Sequence, residues 1–151
     1  MNIRKAIIDD LSRVAEIYVF NNRINFFPIF KDEVFSFGEL QVVPLIDNYF
    51  KREDIIENIY VYDNGIIKGF IQMNGAEICK LYVDTSFQSE GIGNELIEFA
   101  VRELYADNLW ALENVFVKRK CEQKGPKKVS TFSTRFHVVS NVFPKYQMLT
   151  F

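Results

Sequence analysis

The stretch Glu77-Ile-Cys-Lys-Leu-Tyr-Val-Asp-Thr-Ser-Phe-Gln-Ser-Glu-Gly-Ile-Gly-Asn94 decides how the rest of the chain is interpreted. Its first part, Ile78 to Val83, is rich in β-branched and aromatic residues and predicts a strand. A loop with two glycines follows, and apolar residues then recur at helical spacing, which predicts a helix starting at Asn94. Glycine lets a backbone approach a ligand closely, and the first turn of a helix has free N–H groups. The stretch therefore suits a phosphate cradle.

The two glycines, Gly91 and Gly93, also fit an ordinary tight turn, and on local grounds that interpretation stays open. A dinucleotide-binding motif of the Rossmann type needs three glycines near the first strand of the chain, whereas this stretch has two and lies late. A P-loop needs Gly-Lys-Ser/Thr, and no such sequence follows Gly93. Both of these nucleotide-binding motifs are therefore excluded.

The segment Gln88-Ser-Glu-Gly91-Ile-Gly93 resembles the Gln/Arg-x-x-Gly-x-Gly/Ala signature of the GNAT superfamily of N-acyltransferases. The resemblance implies that backbone amides of the loop hold the pyrophosphate of acetyl-CoA. It also implies that the preceding strand splays from its neighbour and pairs its backbone with the pantetheine arm. The cofactor-binding residues implied here are Leu81, Tyr82, Val83, Gln88, Ser89, Glu90, Gly91, Ile92, Gly93 and Asn94. Glu90 departs from the family pattern, in which a basic or small residue is common at this position. An acid beside a pyrophosphate is unfavourable by about 1 kcal/mol when exposed.

A second resemblance covers Asn114 to Pro126, which keeps the spacing of the family's Asn-x-x-Ala-x-x-Phe-Tyr-x-x-x-Gly-Phe signature. Asn114 and Gly125 match, and Asn114 is added to the implied cofactor-binding set. Cys121 stands where the family has the tyrosine that protonates the departing CoA thiolate. A thiol can donate a proton but is shorter, so a bridging water, Tyr82 or Tyr146 could take that role, or no acid is needed. The plain alternative for Cys121 is a small, semi-buried helix residue, and a third option is covalent acyl transfer through its thiol.

Acylation of an amine by a thioester needs a base for the amine and a donor for the developing charge. Glu77 lies eleven positions before Gln88, the offset at which some protein-acetylating relatives carry their base glutamate. Glu77 is therefore the predicted catalytic base. Cys121 is the predicted acid. The alternative for Glu77 is an exposed acid at the end of a strand.

Composition sets the broad class of the protein. With 151 residues, 48% of them hydrophobic, the chain is predicted to form one domain over residues 1–151. A net charge of −2 disfavours nucleic-acid binding, and no apolar run is long enough for a signal peptide or a membrane span, which predicts a cytoplasmic protein with no membrane partner. Cys79, Cys121 and His137 lack metal-ligand spacing, so no metal site is predicted.

The remaining elements fit the same family. A first strand at Ile3 to Ala6 precedes a helix capped by Asp9-Asp10 or Ser12, and short helices with irregular links are predicted for residues 21–50. Strands at 59–62, 66–73 and 76–83 form an antiparallel meander joined by two Asn-Gly turns, with further strands after residue 108.

Aromatic residues are dense in the segment of short helices. They fill the core in the plain interpretation, whereas in the functional one they form a lip over the acceptor pocket. The candidates for acceptor contact are Phe26, Phe27, Phe35 and Phe37.

The sequence therefore predicts an α/β (α+β) protein of GNAT type. We expect a mixed, mostly antiparallel sheet with a splayed strand pair and about four flanking helices. The expected function is transfer of acetyl from acetyl-CoA to a primary amine, on a small molecule, peptide or protein, by direct attack in a ternary complex. A homodimer fits the resemblance, because dimers are common among relatives. The alternative is a non-catalytic acyl-CoA-binding or protein-interaction module.

Overall fold

The computed structural model describes residues 2–112 and 135–139, and it describes side chains for residues 2–109. The described residues form two long helices, α1 (Leu11–Asn25) and α5 (Ile92–Leu104). Between α1 and the second strand the chain forms only short helical pieces. They are α2 (Phe27–Phe30), a π-helical turn (Val34–Glu39), α3 (Val42–Leu45), a second π-helical turn (Ile46–Phe50) and α4 (Glu53–Ile56). The prediction of short helices with irregular links in this region is confirmed.

In the part of the chain that the structure describes, six strands form one sheet in sequence order. They are β1 (Ile3–Lys5), β2 (Ile59–Asp63), β3 (Ile67–Asn74), β4 (Glu77–Val83), β5 (Asn108–Leu112) and β6 (Arg135–Val139). The first four strands pair antiparallel, whereas β4–β5 and β5–β6 are parallel. Both Asn-Gly turns form as predicted, because Gly65 and Gly75 adopt φ of 101° and 59°. The mixed, mostly antiparallel sheet is confirmed.

The two faces of the sheet bury two different cores. Successive residues of a strand point to opposite faces, so Phe70 and Tyr82 face α1 while Ile71 and Leu81 face α5. Gly69 lies where β3 comes nearest to α5: a Cβ there would be 3.4 Å from both Ile92 and Leu96. The sheet is therefore a layer between α1 and α5. Across the described part of the chain, no helix is long and apolar enough to span a membrane.

The first helix does not start with the predicted side-chain cap. A 3₁₀ turn at Ile8–Asp10 leads into α1, and the Asp10 carboxylate accepts a hydrogen bond from the Ile7 N–H at 2.8 Å. Arg4 donates to the same carboxylate at 2.7 and 2.9 Å. The guanidinium of Arg4 holds the pKa of Asp10 below its ordinary value; burial opposes this shift, and the Ile7 N–H adds to it. Asp10 thus ties β1 to the helix start rather than capping the helix.

The predicted start of α5 is wrong by two residues. The helix begins at Ile92, with Gly91 as its N-cap at φ 88°, so Gly93 and Asn94 belong to its first turn. The reason is packing, because Ile92 is 3% exposed and its side chain lies against β3 at Gly69. A conformation with positive φ suits glycine, which places the cap at Gly91 and not at Asn94.

Candidate active site

The central feature of the site is a gap between β4 and β5. These strands pair at only two positions, Glu77 with Asn108 and Ile78 with Leu109. Beyond Ile78, β4 continues to Val83 without β5, while β5 pairs along its length with β6. The splayed strand pair predicted from the resemblance is therefore present in the described residues.

The backbone of β4 presents hydrogen-bonding groups to this gap. The Asp84 N–H donates to the Lys68 carbonyl of β3 at 2.8 Å, which fixes the alternation of the ladder. In an antiparallel pair every second residue bonds to the partner strand, so Leu81 and Val83 direct their N–H and C=O groups to the opposite edge, where the Val83 carbonyl is occupied by two side-chain amides. Tyr82 instead bonds toward β3, and its ring is buried between Tyr18 and Phe70. Neither the backbone nor the ring of Tyr82 faces the gap in this structure, and its contact with the cofactor stays a prediction.

Two side-chain amides hold the end of β4 in place through hydrogen bonds. Asn21 of α1 and Gln88 of the loop both donate to the Val83 carbonyl, at 3.1 and 3.0 Å, and Gln88 also donates to the Asn21 side-chain oxygen at 3.2 Å. Asn21 is 1% exposed. Gln88 was predicted to bind the cofactor, and the structure places its amide against the protein, where it positions the loop. Asn21 was missed, although an asparagine on the apolar face of α1 is a usable signal.

A second set of hydrogen bonds, centred on Asp84, holds the same end of β4. The Asp84 carboxylate accepts from the Ser86 N–H at 2.8 Å and from Arg13 at 2.7 Å, and Arg13 also donates to the Ile67 carbonyl at 3.1 Å. Burial alone would raise the pKa of Asp84, but the hydrogen bonds from Ser86 and Arg13 outweigh it and hold that pKa below its ordinary value. Helix α1 and the loop after β4 are thus joined at two places.

The loop itself ends in a pocket of backbone N–H groups. Ser89 and Gly91 both adopt positive φ, 70° and 88°, and both are exposed. The Gly91 carbonyl accepts the first bond of α5 from the Glu95 N–H, so the N–H groups just after Gly91 have no acceptor within the helix. Together with the positive end of the helix dipole, these groups suit an anion such as a pyrophosphate.

Glu90, the departure from the family pattern, has a counter-charge. The Nζ of Lys68 on β3 lies 3.5 Å from its carboxylate and 4.5 Å from the centre of the Phe87 ring. The Lys68 side chain is 17% exposed and that of Glu90 is 51% exposed. Since β3 lies on the side of β4 opposite β5, this lysine attracts the acidic side chain toward the strand that is farther from the gap.

The far end of β4 carries the predicted base. Glu77 is half-buried at the point where β4 and β5 still pair, and its carboxylate makes no hydrogen bond or ion pair with the residues whose side chains are described. Burial raises the pKa of the nearby Cys79 thiol, and the negative charge of Glu77 raises it further. Cys79 is therefore a protonated thiol and not a nucleophile at neutral pH.

The predicted acceptor residues separate into two groups. Phe26 is 3% exposed and stacks on Phe30, and Phe35 packs partly buried against the same core, so the core interpretation holds for both. Phe27 and Phe37 make an edge-to-face pair at 5.0 Å nearer the surface, with Arg23 placed 5.4 Å from the Phe37 ring. Phe27 and Phe37 are thus the candidates that lie nearer the surface, and acceptor contact by any of the four residues stays a prediction. Asn114 and Cys121 lie outside the described residues.

Comparison with known families decides the identity of the fold. The family model described as the acetyltransferase (GNAT) domain matches residues 46–125, more than half of the chain. The chain belongs to the GNAT acetyltransferase family. GNAT acetyltransferases use acetyl-CoA as acyl donor, and the free N–H groups at the start of α5 suit an anion such as a pyrophosphate.

Three solved structures are similar to this GNAT chain. YjaB of Escherichia coli, in its apo form, is 17% identical over 66% of this chain and 63% of its own, with a TM-score of 0.47. The PaiA N-acetyltransferase of Thermoplasma acidophilum, in complex with coenzyme A, is 19% identical over 68% and 70%, with a TM-score of 0.48. An N-acetyltransferase of Staphylococcus aureus Mu50 is 24% identical over 69% and 66%, with a TM-score of 0.45. A search of curated proteins finds no match.

A buried polar cluster of this GNAT domain was also missed. The Lys80 ammonium donates to the Tyr49 hydroxyl at 2.8 Å and lies 4.6 Å from the centre of the Tyr49 ring. Gln72, opposite Lys80 on β3, donates to the same hydroxyl at 2.8 Å and accepts from it at 3.2 Å. Lys80 and Gln72 are each 3% exposed. The alternation of β4 gives the signal, since a lysine that shares a face with Tyr82 points into the core.

Proposed function

We propose that the protein transfers the acetyl group of acetyl-CoA to a primary amine by direct attack within a ternary complex. The observation that carries this proposal is the gap between β4 and β5, which ends at the glycine loop and the first turn of α5. In this arrangement the pyrophosphate lies against the N–H groups that follow Gly91. The pantetheine arm runs along the open edge of β4, beside the backbone of Val83 and Leu81.

The acyl group then lies near Glu77, at the start of β4. Moving from Val83 to Glu77 along a strand covers about 20 Å, so the reactive end of the donor and the pyrophosphate occupy opposite ends of β4. Glu77 takes the proton of the attacking amine, directly or through a water. The C–N bond forms, the C–S bond breaks, and the CoA thiolate takes up a proton, for which Cys121 is the proposed donor.

The alternative of a covalent acyl-enzyme receives no support from Cys79. Its buried thiol has a raised pKa, so the thiolate that would attack the thioester is scarce at neutral pH. Direct attack by the amine needs no such intermediate. It needs only a base near the acceptor and donors for the developing oxyanion.

The first test is a thermal melt with and without saturating acetyl-CoA. Ligand at 100 times its dissociation constant adds about 2.7 kcal/mol to the free energy of unfolding, which raises Tm by several degrees. Gly91→Asp should abolish this shift, because it places a bulky negative charge at the cradle. No shift for the wild type at millimolar ligand would contradict the proposal.

A turnover assay distinguishes an enzyme from a non-catalytic binding module. Release of free CoA thiol is followed with a panel of amines, and Glu77→Gln is compared with the wild type. The proposal expects kcat to fall at least tenfold while the affinity for acetyl-CoA is unchanged. Tight binding of acetyl-CoA with no turnover of any amine would favour the non-catalytic module.

A further inference from the structure

Lys80 is the most deeply buried cation among the described side chains. It is 3% exposed, and its ammonium contacts the Tyr49 hydroxyl and the rings of Tyr49 and Tyr18, at 4.6 and 5.9 Å from their centres. It forms no ion pair with a carboxylate of the residues whose side chains are described. A buried charge without a counter-charge is costly, whereas one that is held ready for an anionic ligand is repaid on binding.

The cluster is held in a fixed geometry. Gln72 donates to and accepts from the Tyr49 hydroxyl, which leaves that oxygen facing the Lys80 ammonium. Tyr49 lies in the π-helical turn Ile46–Phe50, a rare conformation that is frequent at functional sites. Its ring is half-buried, so the cluster comes closest to solvent at Tyr49.

The position of Lys80 along β4 relates it to the proposed reaction. Lys80 lies three positions from Val83 at the cradle end, about 10 Å along the strand, and three positions from Glu77. Its side chain lies on the sheet face that packs against α1 and the short helices, whereas the next residue, Leu81, turns its backbone to the gap. An acceptor that enters on the α1 side would meet this cluster at the half-buried Tyr49, which contacts Lys80.

We propose that Lys80 binds a carboxylate of the acceptor, and that the acceptor class is therefore an amine that carries a carboxylate, such as an α-amino acid. This inference rests on the proposed function of the same site. A fixed ammonium repels acceptors with several positive charges, so polyamines and aminoglycosides are poor substrates. The half-buried ring of Tyr49 favours an amino acid with an apolar or aromatic side chain.

The test compares acceptors that differ only at the carboxyl group. L-phenylalanine and L-phenylalaninamide are assayed with acetyl-CoA, with spermidine as the polycation. The wild type should prefer the acid to the amide by at least tenfold in kcat/KM. Lys80→Met, which keeps the length but loses the charge, should raise KM for the acid at least tenfold and leave the amide unchanged. Tyr49→Phe, which removes only the oxygen that holds Lys80, should raise KM for the acid to a smaller extent.

Two controls keep the outcome clear. Lys51→Met removes an exposed lysine that pairs with Asp47, and it should leave the preference for the acid intact. Binding of N-acetyl-L-phenylalanine in the presence of CoA, measured by calorimetry, gives a readout that needs neither turnover nor the Glu77 base. It should be at least tenfold tighter for the wild type than for Lys80→Met, provided that both proteins keep the same thermal shift with acetyl-CoA.

Two results would overturn the inference while leaving the proposed function standing. One is equal use of acid and amide by a wild type that binds acetyl-CoA. The other is an equal loss of kcat/KM for both acceptors in Lys80→Met, which would show that Lys80 has only a structural role. Absence of any acetyl-CoA shift in the wild type would overturn the proposed function, and this inference with it.

Discussion

The ion pair between Lys68 and Glu90 leads to a sharp prediction for cofactor affinity. The pair spans 3.5 Å, with Lys68 largely buried and Glu90 half exposed. A charge pair near 4 Å is worth about 1 kcal/mol in water and about 4 at a protein surface, and solvent screening of the exposed partner brings the net value to about 1. Lys68→Ala leaves the Glu90 charge uncompensated beside the pyrophosphate. It should therefore weaken CoA binding by about 1 kcal/mol, or about fivefold in Kd.

The assay is calorimetric titration of CoA into four proteins: wild type, Lys68→Ala, Glu90→Gln and the double variant. Glu90→Gln should bind CoA at least as well as the wild type, and the double variant should recover most of the affinity lost in Lys68→Ala. The loss should shrink at 1 M salt, where the screening length is about 3 Å. Lys51→Ala makes the same change in net charge and should have no effect. An unchanged Kd in Lys68→Ala, or no recovery in the double variant, would refute the reasoning.

Three further predictions concern stability and positioning. Gly69→Ala would place a Cβ 2.8 Å from a backbone oxygen of β4 and should cost about 1–3 kcal/mol in chemical denaturation, whereas Gly38→Ala, with nothing within 4 Å, should cost none. Arg4 lowers the folded-state pKa of Asp10. The contribution of Asp10 to the free energy of unfolding is therefore complete above about pH 4 and is lost as pH falls through the folded pKa. Asp10→Asn should flatten the decline of this free energy in that range. Asn21→Leu should lower the free energy of unfolding by about 1–3 kcal/mol, because it leaves buried polar partners unpaired. It should also raise the Kd for CoA by displacing the loop. A stable variant with an unchanged Kd would show that Asn21 does not position the loop.

Elements that depend on local chemistry were predictable from the sequence. The two Asn-Gly turns fix positive φ within two residues, and the strands around them follow from β-branched and aromatic runs. The glycine loop between β4 and α5 was likewise visible as a motif. Such features need no knowledge of what packs against them.

Features that depend on distant contacts were not predictable in the same way. The start of α5 moved to Ile92 because a glycine on another strand leaves room for that side chain. The Lys80 cluster joins residues 31 positions apart, and the grip of Gln88 on Asn21 spans 67. No local pattern encodes such pairs, although strand alternation could have shown that Tyr82 faces away from the gap.

The double attachment of α1 has a consequence for how the domain can be re-engineered. Arg13 and Asn21 fasten the helix to the end of β4 before the aromatic segment begins at Phe26. The exposed positions between Phe26 and β2, such as Phe37 and Val43, can therefore change without moving the loop proposed to hold the cofactor, whereas the buried residues Leu40 and Phe50 of the same segment must keep the core filled. Variation in this segment is thus confined to its surface, while α1 and the end of β4 stay fixed.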